Sequence, residues 1–152
     1  MKKSELRKLI REEVVKIFNE ELATSSDSSG EFFLKMLAVR DQAHIFHWQT
    51  KSNSHHTILG EFYESYLDEL DEFVENIFGV TGKTFTIGNG EIKLVDYSDS
   101  NLNSYLVEAE NLFTVEFQKL YPESDKKNLG LHHIVGDLIE EIGKLKYLLS
   151  QK

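Results

Sequence analysis

Four of the six histidines fall in one short stretch, between His44 and His56. His44 and His47 are three residues apart, which places both on one face of a helix. His56 stands at the start of the next predicted helix. Imidazole nitrogens bind zinc, copper and iron, and none of these sites needs cysteine. The histidine cluster is therefore a candidate metal site.

A row of carboxylates follows the histidines on the second predicted helix. Asp71 and Glu75 are four residues apart and share one face, and Asp68 extends that face by almost one turn. Histidine and carboxylate side chains together hold non-haem iron in proteins. Each feature taken singly has a plainer interpretation: a solvated acidic face, a histidine pair without metal, or, for Trp48, a core or interface residue. The clustering makes the metal site a serious hypothesis.

Composition and charge limit the classes of protein. The 152 residues, 40% of them hydrophobic, suit one globular domain with its own core. The absence of cysteine excludes disulfides, thiolate metal sites and cysteine nucleophiles. There is no apolar run of about 20 residues and no signal peptide, so a cytoplasmic protein without membrane contact is expected. The net charge of −9 argues against general binding to nucleic acid.

Residues 1–22 are predicted to form a separate amphipathic helix that is basic, and residues 23–30, ATSSDSSG, a flexible linker. Six basic and three acidic residues give positions 1–17 a charge of +3, which leaves −12 for the rest. The segment either anchors the chain to a protein partner or folds back on its own domain. Contact with DNA is a third interpretation, disfavoured by the acidic remainder. The apolar stripe of the predicted helix consists of Leu6, Ile10, Val14 and Phe18.

Residues 31–152 are predicted to form an all-α four-helix bundle. Apolar residues recur at three- and four-residue spacing, which indicates helices over about 31–51, 55–80, 101–120 and 126–149. The short turn after the first helix, with Ser54 as a plausible N-cap, makes the first two helices antiparallel neighbours.

Two further features bear on how the helices pack. In residues 81–97, polar and apolar residues alternate around Gly88-Asn89-Gly90, a pattern typical of a β-hairpin. A connection of this length can cross the whole bundle. Gly136 and Gly143 are a heptad apart on the last helix. Either a neighbouring helix passes close to them or they are ordinary surface positions.

The site residues also carry a resemblance to a known family. The string HIFHW at 44–48, His56 at the start of the next helix and the pair Asp71-x-x-x-Glu75 resemble the ferroxidase motif of the Dps proteins. These mini-ferritins are ferritin-like four-helix subunits with a long crossover. The last helix, from Asp137 to Leu149, is also similar to theirs.

The resemblance spans about residues 31–80 and 128–150. The string HWQTKS, followed by His56, Leu59-Gly60 and Phe62-Tyr63, is similar to uncharacterised ferritin-like proteins encoded by tailed bacteriophages. The opening KKSELRKLIREEV resembles the N-terminus of several phage proteins.

The resemblance implies an iron site shared between subunits of a homo-oligomer. His47 and His56 would be ligands from one subunit, and Asp71 and Glu75 would come from a two-fold-related subunit. Trp48 would be the redox-buffering aromatic beside the site. His44 and Asp68 are further candidate ligands beside these four residues.

Two departures from the Dps pattern qualify what is implied. The interval from His47 to His56 is shorter than is typical of the family, and the family's acid one turn after the second histidine is Gly60 here. The expectation is thus a metal site, for iron or another divalent ion, with weak ferroxidase activity at most. The alternative is a non-enzymatic virion structural or accessory protein of a bacteriophage. The bundle would then be an assembly module, and residues 1–22 its anchor in the particle.

Overall fold

The computed structural model describes Glu13 and residues 28–151. Apart from Glu13, the predicted basic helix at 1–22 lies outside the described residues, as does most of the predicted linker. The first helix of the bundle begins at Ser28, so the last three residues of that linker, 28–30, are helical.

The described chain is all-α, as the sequence predicts. Two long helices, α1 and α2, are followed by a third helical stretch that contains a π-helical segment, and by a last long helix. The bounds are α1 Ser28–Gln49, α2 Asn53–Thr81, α3 Asp99–Asn111, the π-helical segment Leu112–Glu116, α4 Phe117–Leu120, a 3-10 turn Lys126–Asn128 and α5 Leu129–Ser150. No helix among the described residues is long and apolar enough to cross a membrane.

The turn between α1 and α2 has only three residues, 50–52, because Ser52 is already the N-cap of α2. The Ser52 hydroxyl accepts a hydrogen bond from the His55 backbone N–H at 3.3 Å, which satisfies one of the free donors of the first turn. The N-cap is therefore Ser52 and not Ser54 as predicted. At the other end, Gly82 adopts a left-handed conformation (φ 65°) and its N–H bonds to the Phe78 carbonyl, which ends α2.

The four long helical stretches pack as a bundle in which α1 contacts α2 and α3, and α5 contacts α2 and α3. The Lys35–Glu116 ion pair joins the start of α1 to the end of the π-helical segment, so the third stretch runs antiparallel to α1. The start of α5 lies at the end of the third stretch, where the His132 Nε2 atom is 2.8 Å from the Tyr121 carbonyl oxygen, so α5 runs antiparallel to that stretch. The chain therefore goes up, down, crosses the bundle, and goes down and up again.

The connection between α2 and α3 crosses the full length of α1, as its length predicts, but the predicted β-hairpin is not confirmed. Gly88 has φ 62° and the Gly90 N–H reaches the Ile87 carbonyl, so the turn forms. None of residues 83–98 is in a strand. The crossover begins where Phe85 stacks on Phe33 at 3.8 Å between ring centroids.

Two glutamine side chains of α1 take the place of a strand partner for the crossover. Gln42 donates to the Val95 carbonyl and accepts from the Val95 N–H, both at 2.8 Å. Gln49 accepts from the Tyr97 N–H at 2.6 Å and donates to the Asp96 carboxylate at 2.8 Å. Three of these four bonds pair backbone groups that a hairpin would have paired with a second strand.

Most large aromatic residues of the core gather at the end of the bundle where α1 begins. Phe32 lies at their centre, with the rings of five neighbours at centroid distances of 6.1–6.5 Å. Gly30 is needed here because a Cβ at that position would overlap the Thr86 carbonyl of the crossover. The neighbours of Phe32 are Phe33, Phe73, Phe113, Phe117 and Tyr121.

Candidate metal centre

The turn between α1 and α2 brings His47 and His56 into direct contact. Their imidazole rings stack with centroids 3.8 Å apart and planes 20° from parallel. His47 is half-buried and His56 is exposed, so both rings reach the surface at the end of the bundle. The spacing that resembled a ligand pair in the sequence is thus a pair in space.

Each histidine is fixed by the backbone of the other. The Nδ1 atom of His47 is 2.6 Å from the His56 carbonyl oxygen, and the Nδ1 atom of His56 is 2.9 Å from the His47 carbonyl oxygen. A carbonyl oxygen only accepts, so each Nδ1 must carry the proton and donate it. In the neutral rings, both Nε2 atoms then hold a free lone pair.

This arrangement is the one in which histidine binds metals. A metal-ligating imidazole nearly always donates its second N–H to a carbonyl or carboxylate, which fixes the tautomer and the ring orientation. Here two adjacent rings are held in that state by the fold. The pair therefore offers two imidazole nitrogens that a metal ion could bind.

Gly60 provides the space for the His47 ring. A Cβ at this position would lie 3.1 Å from both Cε1 and Nδ1 of His47. Because the His47 ring is also bound to the His56 carbonyl, it has little room to move away. Gly60, where the resemblance to Dps proteins implies a missing carboxylate, therefore makes room for the ring of His47.

His44 and Trp48 form a second aromatic group beside the pair. The His44 ring lies 4.1 Å from the rings of both Trp48 and Tyr63, while its centroid is 6.2 Å from that of His47. Burial lowers the pKa of His44, and the nearby charges of Arg40 and His47 lower it further. His44 thus favours the neutral form and packs against aromatic rings rather than joining the stacked pair.

Trp48 adjoins His44 and is 64% exposed. Trp48 is therefore not a core residue. The other plain interpretation, a residue at an interface with another molecule, is compatible with its exposure.

The carboxylates do not reach the histidines within one chain. Asp68, Asp71 and Glu75 are all exposed on α2. Asp71 follows His56 by fifteen residues along the same helix, a separation of roughly 22 Å at 1.5 Å per residue. Metal–ligand bonds are about 2 Å long, so no single ion can bridge the two groups. Across residues 28–151, no three histidine, aspartate or glutamate side chains converge as a metal site in one copy.

Sequence reasoning missed the roles of Gly60 and Tyr63. Both lie on one stripe of α2 that begins at His56 and continues to Leu67 and Asp71, at steps of four, three, four and four residues. The Tyr63 ring stacks on His44 and meets the His47 ring edge-on at 5.4 Å, contacts that the sequence analysis does not predict. Counting this stripe from His56 would have found both residues.

Fold and site together define an all-α four-helix bundle with a stacked histidine pair at one end. The chain belongs to DUF5856, described as a family of unknown function, whose family model matches residues 47–149, more than half of the chain. The match begins at His47 and includes His56, Asp71 and Glu75. No curated protein and no solved structure matches the chain.

Proposed function

We propose that this protein is a ferritin-like metal-binding protein, with iron as the leading candidate ion. His47 and His56 of one copy and Asp71 and Glu75 of a second copy would form the site. The observation that carries the proposal is the reciprocal hydrogen bonding of the histidine pair, which holds both Nδ1 protons on carbonyl oxygens and leaves both Nε2 atoms free.

The proposal needs a second copy of the chain because the histidines and the acids of one chain lie too far apart to bind the same ion. The histidines offer two ligands, and the nearest acids of the α2 stripe lie roughly 22 Å away along the helix axis. An antiparallel second copy of α2 would bring Asp71 and Glu75 opposite His56, and would create two equivalent sites about a two-fold axis. In that pairing Leu67, which is 37% exposed on the same stripe, lies against Gly60 of the other copy.

The helix order supports the ferritin-like part of the proposal. Bundles of that class have a single long crossover, which joins the second and third helices and leaves them parallel. Here the crossover runs along α1 from Phe33 to Gln49, held by the two glutamines. A simple up-down-up-down bundle would have a short loop instead.

The donor set supports one metal position for each histidine pair. Two imidazoles and two carboxylates suit Fe(II) or another divalent ion of the first transition series. With glycine at position 60, no further carboxylate stands one turn after His56 to hold a second ion. We therefore propose slow oxidation of Fe(II) at most, with metal binding as the principal activity.

The proposal is tested by anaerobic titration with Fe(II) together with the mass in solution. We expect a homo-oligomer that binds about one ion per chain. His47→Ala or Glu75→Ala should each weaken binding by more than about 100-fold, since each removes a direct ligand. His133→Ala and Glu140→Ala are matched controls, because both residues are exposed on α5 and outside the proposed site.

Two results would overturn the proposal. One is a monomer that binds no metal at millimolar concentration. The other is binding that survives both ligand substitutions at the affinity of the control variants.

A further inference from the structure

A cavity lies between α2 and α5, and neither His47 nor His56 lines it. Its volume is about 210 Å³, room for roughly seven water molecules at ~30 Å³ each. Four apolar and four polar side chains line it. The lining residues are Ile58, Glu61, Phe62, Ser65, Glu141, Lys144, Leu145 and Leu148.

Apolar side chains of both helices form part of the cavity wall. Phe62 and Leu145 belong to the buried core, and Ile58 is half-buried against it. Apolar walls of this kind favour the hydrocarbon part of a ligand over water.

The polar atoms inside the cavity are mainly acceptors. The Oε2 atom of Glu141 is buried and has no hydrogen-bond partner within the part of the chain that the structure describes. The Ser65 hydroxyl can donate its single proton either to the Phe62 carbonyl, at 3.2 Å, or to Glu141. Its lone pairs are acceptors in both cases, and Glu61 adds a further carboxylate.

A buried acceptor without a donor costs free energy, so a ligand that supplies donors would be stabilised here. Burial raises the pKa of Glu141, while Ser65 and Lys144 oppose that shift. Lys144 does not form an ion pair with Glu141 among the described side chains. A positive charge placed inside the cavity would relieve the burial of the carboxylate.

We propose that this cavity binds a small organic ammonium, a primary amine with a short apolar body. An ammonium group brings three N–H donors and a positive charge for Glu141, Ser65 and Glu61. A chain of about five carbons matches the cavity volume and lies against Phe62 and Leu145. The proposal is independent of the metal site.

The test uses three probes of equal length on the full-length chain: pentylamine, pentan-1-ol and pentanoate. Methyl resonances of Leu145 and Leu148 are followed by NMR at pH 7 and constant ionic strength. We expect saturable shifts with pentylamine, with affinity at least about tenfold above that for the alcohol, and no saturable shifts with pentanoate.

Matched substitutions on neighbouring residues separate the site from general effects of charge. Glu141→Gln keeps the shape of the side chain and should weaken pentylamine binding about tenfold. Glu140→Gln removes the same charge from the exposed neighbour, which does not line the cavity, and should leave binding unchanged. Equal losses in the two variants, equal binding of the alcohol or of pentanoate, or no saturable shift with the amine would each overturn the proposal.

Discussion

The two ends of the bundle hold their rings in different ways. Where α1 begins, Phe32 and its neighbours are buried and contact one another edge-on or tilted. Where α1 ends, the His47 and His56 rings reach the surface, and backbone carbonyls fix their orientation. The aromatic end stabilises the fold because it removes apolar surface from water. The histidine end is stabilised little by burial, but hydrogen bonds to the backbone define the positions of its rings.

This difference separates the residues that stabilise the fold from those of the proposed metal site. Substitutions at the aromatic end should unfold the protein without changing the chemistry of the folded fraction. Substitutions at the histidine end should change the chemistry with a smaller cost in stability. Sites of binding commonly lie in the less stable part of a fold.

Phe32→Ala should have the largest effect on the free energy of unfolding. Loss of a fully buried phenyl ring from a close-packed core costs about 3–5 kcal/mol. His47→Ala, which loses one hydrogen bond, should cost about 1 kcal/mol. Urea denaturation followed by circular dichroism measures both values, and a reversed order would contradict the division between the two ends.

Gln42→Ala should have the next largest effect, because it frees the crossover from α1. Gln42 is buried, and it makes two hydrogen bonds to the backbone of Val95. We expect a loss of about 2 kcal/mol in the free energy of unfolding. Gln49→Ala removes a similar pair of bonds at an exposed position, where water can replace them, and should cost less than about 1 kcal/mol.

Gly60→Ala and Gly136→Ala form a matched pair that tests whether the His47 ring needs the space left by Gly60. A methyl group at 60 must push the His47 ring from its place, so metal affinity should fall by about tenfold. At 136 a Cβ has no atom within 4 Å among the described residues, and alanine should stabilise the protein by about 0.5–1 kcal/mol. Unchanged metal affinity in Gly60→Ala would show that the glycine is not needed for the ligand.

The smallest expected effect is a dependence of stability on pH that comes from His44. Burial, with the charges of Arg40 and His47, lowers the pKa of His44 in the folded protein below its ordinary value of 6.5. The unfolded chain therefore takes up this proton first, and the free energy of unfolding falls as pH drops below about 6.5. His44→Gln cannot titrate, and its stability should decline less between pH 7 and pH 5 in thermal denaturation. A decline equal to that of the original protein would contradict this origin.

The helices were predictable from the sequence because their apolar residues repeat with the helical period. The crossover was not, because its alternating residues and Gly88-Asn89 turn resemble a hairpin, whereas its partners are Gln42 and Gln49 on another element. No local pattern reveals that pairing. Gly136 and Gly143 have open space beside them in the described structure, so no helix of the same chain passes close to them.

The candidate site was predictable in its residue types and less so in its geometry. The spacing of His47 and His56 across a short turn indicates proximity, and the structure brings the two together. The exchange of backbone hydrogen bonds depends on the turn conformation, which begins α2 at Ser52. The separation of Asp71 from His56 follows from the helical rise alone, and it makes a second copy part of the hypothesis.

A complementation experiment tests the central proposal most directly. His47→Ala and Glu75→Ala proteins are each prepared, unfolded, mixed in equal amounts and refolded, and Fe(II) binding is measured beside the unmixed variants. If histidines and acids come from different copies, half of the dimers are mixed and each regains one intact site of two, about a quarter of the original capacity. The unmixed variants should bind almost nothing. A mixture that binds no more than its components, while its dimers exchange freely, would contradict the shared site.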